Sequence, residues 1–182
     1  MKRIVVSSLL ALLLAGRVTY ALADPLSYDD PAVHYNAPAG WERLPDQPRD
    51  ANDSSAPVAI GFGQDVGRPN QKTISLIISP FQGTLDSLLS THESELRNSA
   101  DGTFIDKALK VTLQNGMPAY WLRVSLSSDQ GRGLRRFEYV AYDGERSIVL
   151  AYTARLGEAD EKDAQAALSS LYVVLYPHRR PD

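Results

Sequence analysis

Apolar and polar residues alternate along most of the segment between Leu109 and Ala154. Alternation with a period of two is typical of β-strands that have one buried face. The segment contains Asn115-Gly116 and Asp143-Gly144, two dipeptides that accept the positive φ angles of a tight hairpin turn. A polar stretch at residues 129–133 separates the two hairpins. The pattern therefore predicts a four-stranded antiparallel meander.

A two-residue loop at each dipeptide sets the pairing of the strands. It places Val111 opposite Tyr120 in the first hairpin and Tyr139 opposite Ile148 in the second. Because paired residues share a face of the sheet, each hairpin is predicted to have one strongly apolar face and one mixed face. The polar and aromatic residues predicted on the mixed face are Lys110, Trp121, Arg123, Arg136, Glu138 and Tyr142.

Apolar runs before the meander predict further strands at Val33–Tyr35, Val58–Phe62 and Thr73–Ser79. Apolar residues at helical spacing predict one helix over residues 84–98 and a second from about Glu158 to Leu171. The apolar residues from Leu171 to Tyr176 are predicted as a last short strand or as an extension lying on the core. This order predicts the α+β class, with an antiparallel sheet flanked by two main helices. It leaves open whether the helices cover one face of the sheet or both.

Residues 1–23 have the pattern of a secretory signal peptide. Lys2 and Arg3 precede an apolar run, and Ala21 and Ala23 place small residues where a signal peptidase cleaves. We expect cleavage after Ala23, which leaves a single domain over residues 24–182 and no stable membrane anchor. The product is predicted to be periplasmic or secreted; an uncleaved amino-terminal anchor is the alternative. A flexible loop is predicted at about 45–57 and a polar tail at 177–182, because both segments are poor in apolar residues.

Cysteine is absent from the chain, and the charge balance is acidic. Without cysteine the domain has no disulfides, no thiolate zinc site and no lipid-anchor cysteine. Three of the 19 basic residues lie in the leader, so 16 basic residues face 22 acidic residues in the mature chain, a net charge of −6. Nucleic-acid binding needs a dense basic surface. The composition therefore argues against a nucleic-acid partner.

The residues that could carry chemistry form no recognisable catalytic pattern. The chain has three histidines and no G-x-S-x-G elbow, which argues against a serine hydrolase. His92 and Glu95 have a spacing that suits two metal ligands on a helix, but a core or boundary histidine beside a solvated acidic face explains both. Glu138 and Asp143 are the nearest approach to a glycosidase pair, yet the hairpin turn already explains Asp143. No catalytic residue, metal site or cofactor is predicted.

The mixed face of the meander is the best candidate for a binding surface. Protein interfaces are enriched in aromatic residues and arginine, and this face combines Trp121, Arg123, Arg136 and Tyr142. We predict that these four residues contact a protein partner. Two alternatives stay open: an anionic ligand pocket, and a face that is solvated or covered by a helix.

Several turns and elements follow one another in a characteristic order. They are a Pro-x-Gly-Trp turn at 38–41, the strand Thr73–Ser79, a leucine-rich helix, an Asn-Gly-x-Pro-Ala hairpin at 115–119, the Asp-Gly hairpin and a final alanine-rich helix. This order, from about Val33 to Leu175, resembles the PsbP-like superfamily of PsbP and DcrB-like exported proteins. The resemblance implies an α/β/α sandwich and a non-enzymatic binding or assembly role. It also implies no catalytic residues, because the superfamily shares none.

Three functional hypotheses follow. The first is an exported, non-enzymatic binding or accessory protein that acts through a protein–protein interface. The alternative is a periplasmic protein that binds a small ligand or an anion in a pocket between sheet and helix, near His92. The third is a secreted hydrolase of unrecognised type.

Overall fold

The computed structural model describes residues 26–45, 57–98, 103–126 and 133–175. The predicted signal peptide lies outside this range, as do most of the predicted flexible loop and the whole of the predicted tail. In chain order the elements are β1 (Ser27–Asp29), β2 (Val33–Asn36), β3 (Glu42–Arg43), β4 (Val58–Gln64), β5 (Lys72–Pro80), α1 (Leu85–Asn98), β6 (Phe104–Thr112), β7 (Pro118–Leu126), β8 (Leu134–Tyr142), β9 (Arg146–Arg155), α2 (Glu161–Leu168) and β10 (Tyr172–Val173).

An antiparallel sheet of seven strands forms the centre of the fold, in the order β3-β4-β5-β9-β8-β7-β6. The run from β6 to β9 is the predicted meander, which is therefore confirmed. A second sheet of three strands, in the order β1-β2-β10, packs beside it. The last apolar segment thus contributes a short strand, which pairs with the strand at Val33–Asn36.

The two helices lie on opposite faces of the seven-stranded sheet. Leu88 and Leu96 of α1 belong to one apolar cluster, together with Leu122 of the sheet. Ala164 and Leu168 of α2 belong to another cluster, which contains the sheet residues that point the opposite way. Each fully buried leucine of this kind contributes roughly 1.5–3 kcal/mol. The α+β sandwich predicted from the sequence is confirmed, and both faces of the sheet are covered.

The first hairpin of the meander has a loop of three residues, Gln114–Gly116, rather than the predicted two. The Gly116 N–H donates to the Leu113 carbonyl at 2.9 Å, and the Leu113 N–H donates to the Met117 carbonyl at 2.8 Å. Gly116 has φ of 87°, so the loop is a type I turn followed by a left-handed glycine. The pairing therefore moves by one residue.

Because of this shift, the side chains of one strand in the first hairpin exchange faces relative to the side chains of the other strand. Leu109 pairs with Trp121, and Val111 pairs with Ala119. A slip of one residue exchanges the faces of a strand, so the predicted division into an apolar and a mixed face is wrong for this hairpin. The fold accommodates the shift because a helix covers each face of the sheet and both faces carry apolar residues.

In the second hairpin, each residue pairs two positions further along the partner strand than predicted. A shift of two residues keeps every side chain on its predicted face of the sheet. Its two-residue loop is Gly144-Glu145, and Tyr139 pairs with Leu150 instead of Ile148. Gly144 has φ of 103°, as the first loop position of a type II′ turn requires. The predicted face assignments within this hairpin are therefore correct.

Replacing Gly116 with alanine is expected to lower the free energy of unfolding by about 1–2 kcal/mol, the cost of a left-handed backbone for a residue with a Cβ. Nothing lies within 4 Å of the added Cβ, so the cost comes from the backbone alone. Gly157→Ala is the matched control, because its Cβ would also meet nothing and its φ lies outside the left-handed region. Urea denaturation of both variants measures the difference; equal stabilities would contradict the assigned turn.

The helix termini follow local capping chemistry. Thr84 Oγ1 accepts a hydrogen bond from the Ser87 N–H at 3.1 Å, which starts α1 where the sequence predicts it. The Asp160 carboxylate accepts from the Lys162 N–H at 2.6 Å and starts α2 at Glu161. The predicted second helix, over residues 158–171, is therefore too long at both ends.

Candidate functional site

A cleft between α1 and the seven-stranded sheet encloses a cavity of about 350 Å³. Most of its wall is apolar, and a few polar and charged side chains interrupt that wall. The lining residues are Ile77, Ser79, Pro80, Phe81, Leu88, Thr91, His92, Glu95, Leu96, Arg136, Ser147 and Val149. A volume of this size lies within the range of small-molecule sites, which are concave and mainly apolar with a few convergent polar groups.

The spacing of residues on α1 explains how an imidazole reaches this cleft. Leu88, His92 and Leu96 follow one another at intervals of four residues, so they lie on one face of the helix. The two leucines are buried and hold that face against the sheet. His92 is therefore turned toward the sheet at the middle of the helix, where the strand β8 runs beneath it.

The alternation of β8 supplies the partners of His92. Arg136 and Glu138 are two residues apart, so both side chains point toward α1. The His92 Nε2 atom lies 2.7 Å from Glu138 Oε2, and the Arg136 Nε atom lies 2.6 Å from Glu138 Oε1. The three side chains form one cluster, in which His92 and Arg136 line the cleft and Glu138 is buried behind them.

Glu138 is fully buried, with 0% of its surface exposed. Burial on its own raises the pKa of this carboxyl, but the hydrogen bond with His92 and the positive charge of Arg136 outweigh burial and hold its pKa below the usual value. Glu138 is therefore ionised at neutral pH. Each of its two carboxylate oxygens has one close partner in this cluster.

Arg136 has binding capacity that the cluster does not use. Its Nε faces Glu138, whereas its two terminal nitrogens have no hydrogen-bond or ion-pair partner in the described parts of the chain. The side chain is 21% exposed and forms part of the cavity wall. The exposed carboxylate of Glu95 also lines the cavity and places a negative charge at its open side.

The described residues place no hydroxyl nucleophile in hydrogen-bond contact with His92. His92 is hydrogen-bonded to a carboxylate, and within the described residues it makes no hydrogen bond to a hydroxyl group that it could activate. The Ser147 hydroxyl instead donates to the Ser79 carbonyl at 3.3 Å. As for the helical pair His92 and Glu95, the described residues contain no group of three or more metal-ligating side chains that could hold an ion.

The four residues predicted as a protein interface do not share a face. Trp121 and Arg123 lie on the α2 side of the sheet, whereas Arg136 and Tyr142 lie on the α1 side. Trp121 is only 2% exposed; its indole N–H donates to Glu161 of α2 at 3.0 Å. The expectation of a single exposed patch is therefore wrong, because β7 pairs with β8 so that Trp121 lies opposite Tyr139 and faces α2, whereas Arg136 faces α1.

Arg123 and Tyr142 also have partners within the domain. The Arg123 guanidinium lies 3.6 Å from the Asp106 carboxylate and 4.0 Å from that of Glu161. The Tyr142 hydroxyl donates to the Gly144 carbonyl at 2.5 Å, and its ring packs edge-to-face on Phe81. Partner binding by these residues stays a prediction, without the shared surface on which it rested.

The cluster of His92, Arg136 and Glu138 is the part of the site that the sequence did not reveal as a unit. Its signal was present in two places: a histidine within an apolar helical stripe, and two opposite charges at alternate positions of one strand. Each signal alone has an ordinary structural explanation. Their connection depends on the packing of α1 across β8, which neither pattern specifies.

No family model and no curated protein matches the sequence. Solved structures do match the fold. One is cyanobacterial PsbP (CyanoP) from Synechocystis sp. PCC 6803, with a TM-score of 0.59 and 16% identity over 88% of this chain and 98% of that one. The chain has the PsbP-like fold.

Two further structures with the PsbP-like architecture match over most of their length. LpqN of Mycobacterium tuberculosis, described as involved in cell envelope biogenesis, has a TM-score of 0.55 and 22% identity over 81% of this chain and 89% of that one. PA94 of Pseudomonas aeruginosa, described as a protein of unknown function and putative regulator, has a TM-score of 0.51 and 15% identity over 87% of this chain and 99% of that one. These comparisons confirm the fold that the resemblance implied. In the part of the chain that the structure describes, no helix has the length and apolar character needed to cross a membrane.

Proposed function

We propose that this protein is an exported, non-enzymatic binding protein that holds a small ligand in the cleft between α1 and the sheet. The proposal favours the second of the three hypotheses over the first, because Trp121 and Arg123 are separated from Arg136 and Tyr142 by the sheet. It retains the accessory, non-catalytic character that the PsbP-like fold implies.

One observation carries the proposal: the mainly apolar wall of a cleft of about 350 Å³ includes His92 and Arg136, which are paired with the buried Glu138. The cleft is partly open to solvent, and a concave, mainly apolar surface of this size with a few convergent polar groups is the usual form of a small-molecule site. A buried ion pair is also often no more stable than apolar residues of the same volume. A cavity and a buried cluster at one place are therefore better explained by a ligand than by stability.

Export is supported by two independent features. The first 23 residues have the three-part pattern of a signal peptide. The fold is shared with LpqN, whose description places it in cell envelope biogenesis. Mass spectrometry of the protein recovered from the periplasm or the medium is expected to find Asp24 at the amino terminus; an intact Met1 would contradict cleavage.

The ligand proposal is tested by filling the cavity. Thr91 and Ser90 are neighbouring exposed residues of α1, but only Thr91 lines the cavity. The Thr91→Trp variant is expected to bind nonan-1-ol at least about tenfold more weakly than the wild type, measured by titration calorimetry, a loss of about 1.4 kcal/mol. Ser90→Trp is the matched control and should bind like the wild type. Equal binding by all three proteins, or no binding by the wild type, would contradict the proposal.

A further inference from the structure

We infer that the natural ligand of the cleft is a compact amphiphile with one carboxylate, whose head group binds Arg136 and whose apolar chain lies along the cavity wall. This inference rests on the proposed function, since it names the class of ligand for the same cleft. It is carried by the unused donors of Arg136, by the burial of Glu138 against His92 and Arg136, and by the size of the apolar wall.

The head group is specified by the donors that remain available. The terminal nitrogens of Arg136 have no partner in the described residues, although the guanidinium forms part of the cavity wall. Two parallel N–H donors of a guanidinium match the two oxygens of a carboxylate. Glu138 holds the Nε side of the same group at 2.6 Å, so the guanidinium is oriented before the ligand arrives.

A cationic head group has no comparable partner in the cleft. Glu138 is buried, and its two oxygens already contact His92 and Arg136. The carboxylate that lines the cavity, Glu95, is exposed to solvent, where an ion pair is screened and contributes little. The balance of these contacts therefore favours an anion over an amine.

The apolar part of the ligand is specified by the rest of the wall. Its main residues are Ile77, Phe81, Leu88, Leu96 and Val149, none of which offers a side-chain hydrogen bond. At about 30 Å³ for each non-hydrogen atom, a cavity of this volume holds roughly twelve such atoms. A monocarboxylate with an unbranched chain of medium length fits both the head-group site and the volume.

The experiment compares three probes that differ only in their head group: nonanoate, nonan-1-ol and nonylammonium. By titration calorimetry on the wild-type protein, nonanoate is expected to bind about tenfold more tightly than nonan-1-ol, because charge-assisted hydrogen bonds are added. Nonylammonium is expected to bind more weakly than the alcohol. Nonanoate should lose its advantage in Arg136→Gln.

A second variant keeps the test independent of folding, because Arg136→Gln disturbs the buried cluster. Glu95→Gln removes a negative charge from the exposed side of the cavity without touching Arg136 or Glu138. It is expected to tighten nonanoate binding by about twofold and to leave nonan-1-ol unchanged, as the loss of a screened like-charge contact predicts.

The outcomes separate the two proposals. If the alcohol and the carboxylate bind equally, and Thr91→Trp weakens both, the cleft is a ligand site but the carboxylate inference is overturned. Tightest binding by nonylammonium would overturn it as well. If no probe binds the wild type, the proposed function and the inference both fail. Preference for nonanoate that Arg136→Gln abolishes and Glu95→Gln increases supports the inference.

Discussion

Replacing Glu138 with alanine should lower the free energy of unfolding by about 3–5 kcal/mol, the cost of removing one partner from a buried ion pair. The Glu138 side chain is fully buried and contacts His92 and Arg136, which would be left without their carboxylate. Guanidinium denaturation followed by circular dichroism measures the change. The loss should appear in the midpoint, with little change in the slope.

Two other substitutions test whether burial and pairing cause this loss. Glu95→Ala removes a carboxylate from the same cleft at an exposed position and should change stability by no more than about 0.5 kcal/mol. A combined replacement of His92, Arg136 and Glu138 by apolar residues of similar volume should be near neutral, because no charge is left unpaired. If Glu138→Ala costs no more than Glu95→Ala, the description of this cluster is wrong.

Replacing Arg146 with alanine is the second change with a large expected effect, a loss of about 3 kcal/mol of unfolding free energy. Arg146 begins β9 and connects two carboxylates from distant parts of the chain. Its Nε donates to Asp143 at 2.8 Å, and its two terminal nitrogens donate to the two oxygens of Asp30 at 3.0 and 2.7 Å. Asp143 is fully buried, so it would lose its charged partner.

A lysine at this position should recover little of the stability, because an ammonium group cannot bind Asp30 through two parallel hydrogen bonds and also reach Asp143. Chemical denaturation of Arg146→Lys and Arg146→Ala measures the recovery. Arg68→Ala is the control, since Arg68 forms an exposed ion pair with Asp65 and should contribute less than about 1 kcal/mol. Full recovery by lysine would show that only the charge matters.

The acid limb of the stability curve provides an independent check of the same contact. The hydrogen bond from Arg146 lowers the pKa of Asp30, more than burial raises it. Because the folded pKa is the lower one, the contact stabilises the protein above the unfolded value of about 3.9. This stabilisation is lost as the pH falls through the folded pKa. Asp30→Asn should therefore show a shallower loss of stability below about pH 4 than the wild type; identical acid limbs would contradict the contact.

The sequence predicted the strands better than it predicted their pairing. Alternation alone assigns Tyr120 and Trp121 to opposite faces of β7, and the structure agrees. It does not decide which of these faces lies beside Leu109, because an Asn-Gly dipeptide suits a two-residue loop as well as a type I turn followed by glycine. The choice between these loops depends on how well the flanking strands pack between the helices, which is information distributed over the whole sheet.

The candidate site shows the same division between local and long-range information. That Arg136 and Glu138 share a face follows from their positions two residues apart on a strand. That His92 points to the sheet follows from the helical spacing of Leu88 and Leu96. The three side chains come into contact only because α1 crosses β8. The sequence left open even the side of the sheet on which each helix lies. Glu138 therefore looked like an ordinary strand residue until the helix was in place.

The separation of the two apolar clusters by the sheet affects how this protein can change over evolution. The cluster beneath α1 contains the cleft, whereas the cluster that includes α2 and the small sheet contains most of the buried residues. Substitutions at distant positions without shared partners usually have additive effects on stability. On the proposed function, residues of the cleft can therefore be exchanged for a new ligand specificity while the larger core remains intact, so that one scaffold serves different ligands in different descendants.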